Sequence, residues 1–205
     1  SRRHRKSSCA YESPARLSRE SSITLKSRSR GRDKVERAFI GLGSNIGDRL
    51  AFLRAAVREL EKMARTSVQR LSSIYETEPV GKKDQAFFLN MVVEVQTELD
   101  AVRLHLACKE IERRIGRTAS VRWGPREIDL DLLYFGGECI SRNELRVPHP
   151  EIAHRRFVLV PMTEVAAEFV DPARSSSIKD LLELCTDASA VTKTNYTIHR
   201  NAVEA

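Results

Sequence analysis

Apolar and polar residues alternate along several short segments of the chain, and this spacing predicts β-strands. Residues 37–43 form an apolar run closed by turn residues, as in a buried strand. Residues 87–98 alternate clearly, which predicts a half-buried strand with Phe88 and Asn90 on its more exposed face. Residues 128–135 predict a third strand. Two weaker strand predictions cover about 68–77 and 157–161.

Other segments repeat their apolar residues every three or four positions, which predicts helices. One helix begins after Asp48, whose carboxylate can cap it, and another covers about 100–115 and ends at Gly116. A short helix is expected around 178–184. Strands and helices mix without the regular β-α-β alternation of a doubly wound sheet, so the predicted fold class is α+β.

Composition limits the number of domains. The chain has 205 residues, of which 41% are hydrophobic and 31% are charged, which suits one domain with a packed core. We expect this domain to cover residues 37–185, between a disordered arm at 1–36 and a loosely held tail at 186–205. No apolar run is long enough to cross a membrane.

The net positive charge of the chain is concentrated in the arm of residues 1–36. This segment has 11 Lys and Arg against 4 Asp and Glu, whereas the rest of the chain has 24 of each. The neutral body argues against a nucleic-acid-binding domain. The Ser- and Arg-rich arm is similar to an organelle transit peptide, although its acidic residues weaken that interpretation, and an upstream start explains it equally well. The four cysteines are scattered, which indicates reduced thiols and a cytoplasmic protein.

Two carboxylates on one predicted strand are the first candidate functional group. Asp129 and Asp131 are two positions apart, so both project from one face of the strand while its apolar residues anchor the other face. Adjacent carboxylates repel each other, and a cation relieves that repulsion. Oxygen ligands on a rigid strand suit Mg²⁺, which completes its shell with water and phosphate. Taken alone, the pair is explained equally well as an exposed acidic strand face.

Basic and aromatic residues just upstream favour the metal interpretation. Arg122, Trp123 and Arg126 surround a Gly-Pro turn, and Arg117 adds further positive charge. Arginine forks bind phosphate oxygens, and an aromatic plane can stack on a flat heterocycle. Acidic metal ligands beside phosphate-binding arginines are what transfer of a phosphoryl-type group from a magnesium nucleotide requires.

The glycines of residues 41–47 do not match a known phosphate-binding loop. Their spacing differs by one position from the dinucleotide-binding fingerprint, and no G-x-x-x-x-G-K-[ST] motif occurs in the chain. We therefore interpret these glycines as a turn between the first strand and the first helix.

Five blocks of sequence occur in an order that identifies a family. They are F-I-G-L-G-S-N at 39–45, S-S-I-Y-E-T-E-P at 72–79, F-F-L-N at 87–90, R-W-G-P-R-E-I-D-L-D-L-L at 122–133, and V-P-H-P at 147–150 with R-R-F-V-L at 155–159. Over about 38–172 the chain resembles the 6-hydroxymethyl-7,8-dihydropterin pyrophosphokinase family of folate biosynthesis.

The resemblance implies an enzyme with a ferredoxin-like α+β fold, a mixed or antiparallel sheet and flanking helices, acting as a monomer. The implied reaction transfers diphosphate from ATP to 6-hydroxymethyl-7,8-dihydropterin and releases AMP, with no membrane or nucleic acid as a partner. Asp129 and Asp131 would bind two Mg²⁺ ions, and they would act in catalysis together with Arg122 and Arg126. The residues implied in pterin binding are Thr77, Pro79, Val80, Phe88, Asn90, Trp123 and Phe157. The residues implied in ATP binding are Glu112, Arg117, Arg122, Arg126, His149 and Arg155.

Two features of the sequence bear on this interpretation. Family members often have further basic residues where residues 118–121 here have none, and a missing charge could slow the chemical step or be replaced by another side chain. The alternative function is a non-catalytic pterin-, nucleotide- or RNA-binding module that uses the basic arm. The presence together of Asp129, Asp131, Asn90 and Arg126 favours the enzyme.

Overall fold

The computed structural model describes residues 34–81, 84–118, 124–142 and 145–199, whose main feature is an antiparallel sheet with helices on both faces. The elements up to the second helix are β1 (Glu36–Ser44), α1 (Arg49–Glu61), β2 (Thr66–Leu71), β3 (Tyr75–Thr77), β4 (Phe88–Thr97) and α2 (Ala101–Ile115). The later elements are β5 (Asp129–Phe135), β6 (Ile140–Arg142), β7 (Leu145–Val147), α3 (Arg156–Ala166), β8 (Val170–Asp171), β9 (Ser176–Ser177), α4 (Ile178–Glu183) and β10 (Val191–Lys193).

The strand order confirms the predicted ferredoxin-like α+β fold. Strands β2, β4, β1 and β5 lie side by side in that order, and every pair is antiparallel. Helix α1 connects β1 to β2 and α2 connects β4 to β5, which gives the β-α-β-β-α-β arrangement of this fold. Strand β3 pairs with the first residues of β4, and β10 pairs with the outer edge of β3.

The two long helices begin where the sequence predicts, and α2 also ends at the predicted residue. The Asp48 carboxylate accepts a hydrogen bond from the Ala51 amide at 3.0 Å and caps α1. The Asp100 carboxylate caps α2 in the same way, accepting from the Arg103 amide at 2.9 Å. Gly116 ends α2 with φ 107°, in the left-handed region that favours glycine.

The two faces of the sheet are covered differently. Both α1 and α2 pack on one face, where alternate strand residues such as Ile40, Met91 and Leu130 form the larger hydrophobic core. On the other face α3 and α4 pack against a second apolar cluster that includes Phe39 and Tyr134. The second cluster does not cover the C-terminal end of β1 or the N-terminal ends of β4 and β5. These strand ends line a cleft.

Burial of β4 on both faces shows that the prediction of a half-buried strand is wrong. On the face that the sequence indicated as exposed, Val92 is 1% exposed and Glu94 is 7% exposed. Helix α3 packs on this face, and the Arg37 guanidinium donates to the Glu94 carboxylate there at 2.7 Å. The polar residue in the alternation pattern of β4 is therefore part of an ion pair and does not mark a solvent-facing position.

The weaker strand predictions are corrected by the structure. The run 157–161 is helical and belongs to α3, because Val158, Leu159 and Met162 follow helical spacing and are buried against the sheet. A short apolar run alone does not distinguish a strand from a buried helix. The run 68–77 is divided into β2 and β3, which pair with different parts of β4.

Part of the segment expected to be a loosely held tail pairs with the sheet. Residues of β10 pair with β3, and the Thr194 amide donates to the Ile74 carbonyl at 2.9 Å. Lys193 also contacts Glu164 of α3 at 2.9 Å. The sequence does not predict this strand, because three residues without an apolar pattern give no periodic signal.

Of the helices in the part of the chain that the structure describes, none has the length and apolar character needed to cross a bilayer.

We expect the Asp100→Ala substitution to lower the free energy of unfolding by about 1 kcal/mol, because the first turn of α2 loses its side-chain acceptor. Asp100→Asn keeps an acceptor oxygen and should retain most of the stability. Urea unfolding of both variants measures the difference. Equal loss in both variants would show that the carboxylate charge, and not the cap, stabilises the helix.

Candidate active site

A cleft with a volume of about 390 Å³ lies over the open half of the second sheet face. Gly41 and Gly43 of β1 form part of its lining, between β4 on one side and β5 on the other. Both glycines lie inside the strand and not in the following turn, so the interpretation of them as turn residues is wrong. The left-handed turn residue is Gly47, with φ 65°.

The strand register explains why β1 has glycines here. Gly43 is the partner of Asn90 on β4 and of Asp129 on β5, so the three residues form one row across the sheet. Gly41 is likewise paired with Asp131. A Cβ atom on Gly43 would lie 2.6 Å from the Asn90 Oδ1 atom, which is closer than real contacts allow. The glycines therefore leave free space between an amide and two carboxylates.

Asp129 and Asp131 point into the cleft from one face of β5, as the sequence predicts for residues two apart. Their side chains are 17% and 36% exposed, respectively. Both oxygens of Asp129 accept hydrogen bonds, from Arg117 at 2.7 Å and from Arg126 at 2.5 Å. Burial raises the pKa of Asp129, but the opposing charges of Lys109, Arg126 and Arg117 outweigh it and lower the pKa below its ordinary value.

Lys109 is a cation of the site that the sequence analysis missed. Its Nζ atom lies 3.7 Å from Asp129 Oδ1 and 3.6 Å from Asp131 Oδ1. It donates to Glu112 Oε1 at 2.7 Å and to the Leu130 carbonyl at 3.0 Å. Lys109 lies on α2 near several other charged residues, a pattern typical of a solvated helix face, so the sequence pattern did not indicate its role.

Glu112 lies behind the cleft and not in it. Its side chain is 4% exposed, and one of its oxygens accepts from Lys109 and from the Leu130 amide, the latter at 2.7 Å. The other oxygen accepts from Arg117. Glu112 therefore holds Lys109 and Arg117 beside Asp129, and the structure does not place it where it would contact a ligand directly.

Asn45 holds Arg126 in position. The Arg126 amide donates to Asn45 Oδ1 at 2.8 Å, and the Asn45 amide donates to the Arg126 carbonyl at 3.1 Å. The Asn45 side chain also donates to Gln85, at 3.1 Å, in the segment before β4. This buried asparagine belongs to the first sequence block, where its polar side chain next to a strand was an available signal for a functional role.

The other half of the cleft is formed by an amide, a hydroxyl and two aromatic rings. Asn90 donates to the Thr77 hydroxyl at 2.7 Å, and both side chains are nearly buried. Phe88 and Phe157 line the same part of the cleft, and Val80 lies at its edge. Such a site suits a flat polar ring, which would be bound by its edge at Asn90 and by its faces at the rings.

His149 and Arg155 also line the cleft, near enough to Asp131 for its charge to act on both. The Arg155 guanidinium lies 3.4 Å from His149 Nε2 and 5.8 Å from the centre of the Phe157 ring. Burial and the adjacent Arg155 charge lower the pKa of His149, although Asp131 and Glu151 act in the opposite direction. His149 is therefore neutral at pH 7.

Most of the predicted site residues that the structure describes lie in this one cleft. Pro79 and Glu112 are not part of the lining, and Arg122 and Trp123 lie outside the described residues. The polar lining residues that the sequence analysis missed are Glu78, Gln85, Lys109, Glu151 and His154, and the other missed lining residues are the two glycines, Leu42, Met91, Val92, Leu133 and Val158.

The carboxylates fit a metal ion that takes most of its ligands from elsewhere. Within residues 34–81, 84–118, 124–142 and 145–199 there is no group of three or more His, Cys, Asp or Glu that could hold a metal. Asp129 and Asp131 supply only oxygen atoms, and they face open space. Mg²⁺ is bound in this manner, by one or two carboxylates together with water and substrate phosphates.

Comparisons with known proteins identify one family. Residues 39–167 match the model of the family described as 7,8-dihydro-6-hydroxymethylpterin-pyrophosphokinase (HPPK). The chain is 50% identical over 139 residues to the Bacillus subtilis 2-amino-4-hydroxy-6-hydroxymethyldihydropteridine pyrophosphokinase, covering 68% of this chain and 83% of that protein. It is 35% identical over 142 residues to the Aquifex aeolicus protein of the same name, covering 69% and 88% respectively.

A solved structure supports the fold independently. The wild-type HPPK-DHPS crystal structure from Plasmodium falciparum aligns with a TM-score of 0.58 over 74% of this chain, at 16% identity. This chain spans 45% of the Plasmodium chain. At this identity the likeness concerns the fold alone.

We expect Arg155→Leu to raise the pKa of His149, because the substitution removes a positive charge 3.4 Å from the imidazole. NMR titration of the imidazole nitrogens measures this pKa directly. Arg156→Leu is the matched control, since it removes a neighbouring arginine that does not contribute to the shift. A pKa that stays unchanged in the Arg155 variant would mean that burial alone controls His149.

Proposed function

The chain belongs to the 7,8-dihydro-6-hydroxymethylpterin-pyrophosphokinase family, so its reaction is the transfer of diphosphate from ATP to 6-hydroxymethyl-7,8-dihydropterin, and we propose that this reaction takes place in the cleft over β1, β4 and β5. The observation that carries this proposal is the row of Asn90, Gly43 and Asp129. Strands are about 4.8 Å apart, so an amide suited to a heterocycle and a carboxylate suited to a metal lie about 10 Å apart with no side chain between them.

In the proposed arrangement each substrate occupies one half of the cleft. Asn90 and Thr77 would bind the polar edge of the pterin, and Phe88 and Phe157 would contact its faces. Val80 would limit the pocket at its rim. The pterin hydroxymethyl group would then lie over Gly43, directed at the carboxylates, because the ring is held by its opposite edge.

The triphosphate would lie on the β5 side of the cleft. Arg117, Arg126, Arg155 and neutral His149 line this side and can donate hydrogen bonds to phosphate oxygens. Arg117 and Arg126 also donate to Asp129, so the same guanidinium groups would link this carboxylate to the phosphates.

The chemistry follows from this placement. The pterin hydroxyl oxygen forms a bond to the β-phosphorus of ATP, and the bond from that phosphorus to the oxygen bridging to the α-phosphate breaks. AMP leaves with that oxygen, and the hydroxyl proton is released to solvent. Bound Mg²⁺ would supply positive charge to the phosphate oxygens. Asp129 and Asp131 would hold two such ions, and the arginines would stabilise the developing charge at fixed positions.

The proposal extends to residues outside the described ranges. Arg122 and Trp123, which precede Arg126 in the sequence, would contribute to phosphate binding and to pterin binding, respectively. The catalytic domain would comprise residues 37–185 together with β10, which pairs with β3, and the arm at 1–36 would be a separate segment. The enzyme would act as a monomer, and the scattered cysteines support a location in the cytoplasm.

We predict that Asp131→Asn reduces AMP formation from Mg-ATP and the pterin alcohol by about 1,000-fold or more, because a neutral amide is a poor Mg²⁺ ligand. The unfolding free energy should change by less than about 1 kcal/mol, since the partly exposed Asp131 contacts a cation only at 3.6 Å. Product chromatography of AMP and ADP measures turnover, with Asp100→Asn outside the cleft as control. Near-normal AMP formation by the variant would contradict the assignment of Asp131.

We predict that Gly43→Ala weakens pterin binding about tenfold or more and leaves ATP affinity almost unchanged, because the new methyl group would displace the Asn90 side chain. Calorimetry with the pterin and a non-hydrolysable ATP analogue measures both affinities. Gly137→Ala is the matched control, since nothing lies within 4 Å of a Cβ atom at that position. Unchanged pterin affinity in the Gly43 variant would remove Asn90 from the pterin pocket.

A further inference from the structure

The Lys109 ammonium lies between the two carboxylates of the site. It is within 4 Å of Asp129 Oδ1 and Asp131 Oδ1, at 3.7 and 3.6 Å. A divalent cation that bridges the two carboxylates would have to approach the same oxygen atoms. We propose that Lys109 is an internal counter-ion of Asp129 and Asp131, which disfavours metal binding until the nucleotide binds. This inference rests on the proposed function, since it takes the two aspartates as metal ligands.

Lys109 is held in this position by groups that are not proposed metal ligands. Glu112 accepts from its Nζ atom at 2.7 Å, and the Leu130 carbonyl accepts at 3.0 Å. Glu112 is itself fixed, because the Leu130 amide donates to the same carboxylate oxygen at 2.7 Å. The ammonium is therefore attached to buried groups and cannot easily move away when a metal ion approaches.

The charges of the cluster support the same conclusion. Three cations, Lys109, Arg117 and Arg126, contact three carboxylates, Glu112, Asp129 and Asp131. The six side chains are neutral in sum, so a divalent cation entering alone adds positive charge that nothing compensates. When a triphosphate enters together with the divalent cations, its negative charge compensates their positive charge. The cluster thus favours joint binding of metal and nucleotide over binding of the metal alone.

Lys109 acts in this account as a positioning residue. It does not need to contact the reacting atoms, and its effect is on the order of binding. The sequence position is favourable for this role, because Lys109 and Glu112 are three residues apart on α2 and so share one face of the helix towards β5.

The test measures Mn²⁺ binding to the nucleotide-free protein by the electron paramagnetic resonance signal of free Mn²⁺. Lys109→Gln removes the charge and keeps a donor for Glu112 and the Leu130 carbonyl. We expect this variant to bind Mn²⁺ about tenfold more tightly than the natural protein, with Mg²⁺ competing. Lys109→Arg keeps the positive charge, so this variant should bind Mn²⁺ as weakly as the natural protein. Equal affinity in Lys109→Gln and the natural protein would overturn the inference.

Two further variants control for charge and for folding. Lys62→Gln removes a lysine that also pairs with a glutamate three residues away, at 2.9 Å, but is located at the end of α1. This variant should leave Mn²⁺ affinity unchanged, and a gain as large as that of Lys109→Gln would contradict a local effect. Lys109→Met, checked by thermal unfolding, is the second charge-free variant and should show the same gain as Lys109→Gln.

Repeating the titration with a non-hydrolysable ATP analogue separates this inference from the proposed function. With the analogue bound, the advantage of Lys109→Gln should shrink to less than about threefold, because the triphosphate supplies the compensating charge. Asp131→Asn should weaken Mn²⁺ binding in this state. If Asp131→Asn binds Mn²⁺ as tightly as the natural protein, the proposed metal ligands are wrong. If Asp131→Asn weakens Mn²⁺ binding but Lys109→Gln shows no higher affinity without nucleotide, only the role of Lys109 is refuted.

Discussion

The charge balance around Asp129 is the interaction on which the rest of the site depends. This carboxylate is mostly buried, and it remains ionised because Lys109, Arg126 and Arg117 surround it. Arg117 and Arg126 are also the groups proposed to bind phosphate, and Lys109 is the group proposed to oppose metal binding. Such an arrangement avoids both repulsion between neighbouring carboxylates and burial of an unpaired charge.

The fold supplies these groups from separate segments of the chain. Strand β5 presents the two aspartates, and α2 presents Lys109 and Glu112 on the face that packs towards that strand. The glycine that ends α2 turns the chain so that the following Arg117 reaches back to Asp129. Strand β1 lies between the carboxylates and Asn90 and has glycines where any other residue would fill the space. Position in the sheet and absence of side chains are thus as important to the site as the polar residues.

Much of the fold follows from the sequence, because the long elements have clear periodicity and caps. The β1, β4 and β5 strands and the α1 and α2 helices are predicted close to their observed bounds. The prediction fails at α3, where a five-residue apolar run gives no distinction between strand and helix, and at β10, which has no apolar pattern. The exposed face assigned to β4 is wrong because burial of Glu94 depends on Arg37, a partner distant in sequence.

The motif residues of the site can be predicted from the sequence, but the residues that hold them in position are harder to predict. Asp129, Asp131, Asn90 and Arg126 follow from strand alternation and sequence blocks, and all four line the cleft. Lys109 is not predictable, since a lysine on an amphipathic helix is ordinarily solvated, and its role arises only when α2 packs against β5. The glycines of β1 were misinterpreted because their function depends on which strands lie beside them.

The most direct test of one shared cleft is to locate the bound metal by NMR relaxation. Mn²⁺ bound with a non-hydrolysable ATP analogue broadens amide signals near it, and the effect falls steeply with distance. The account predicts the strongest broadening at Gly41, Gly43, Asp129 and Asp131, which lie paired across β1 and β5. Strongest broadening elsewhere, for example at β10 or α4 with little effect on these four residues, would contradict the account.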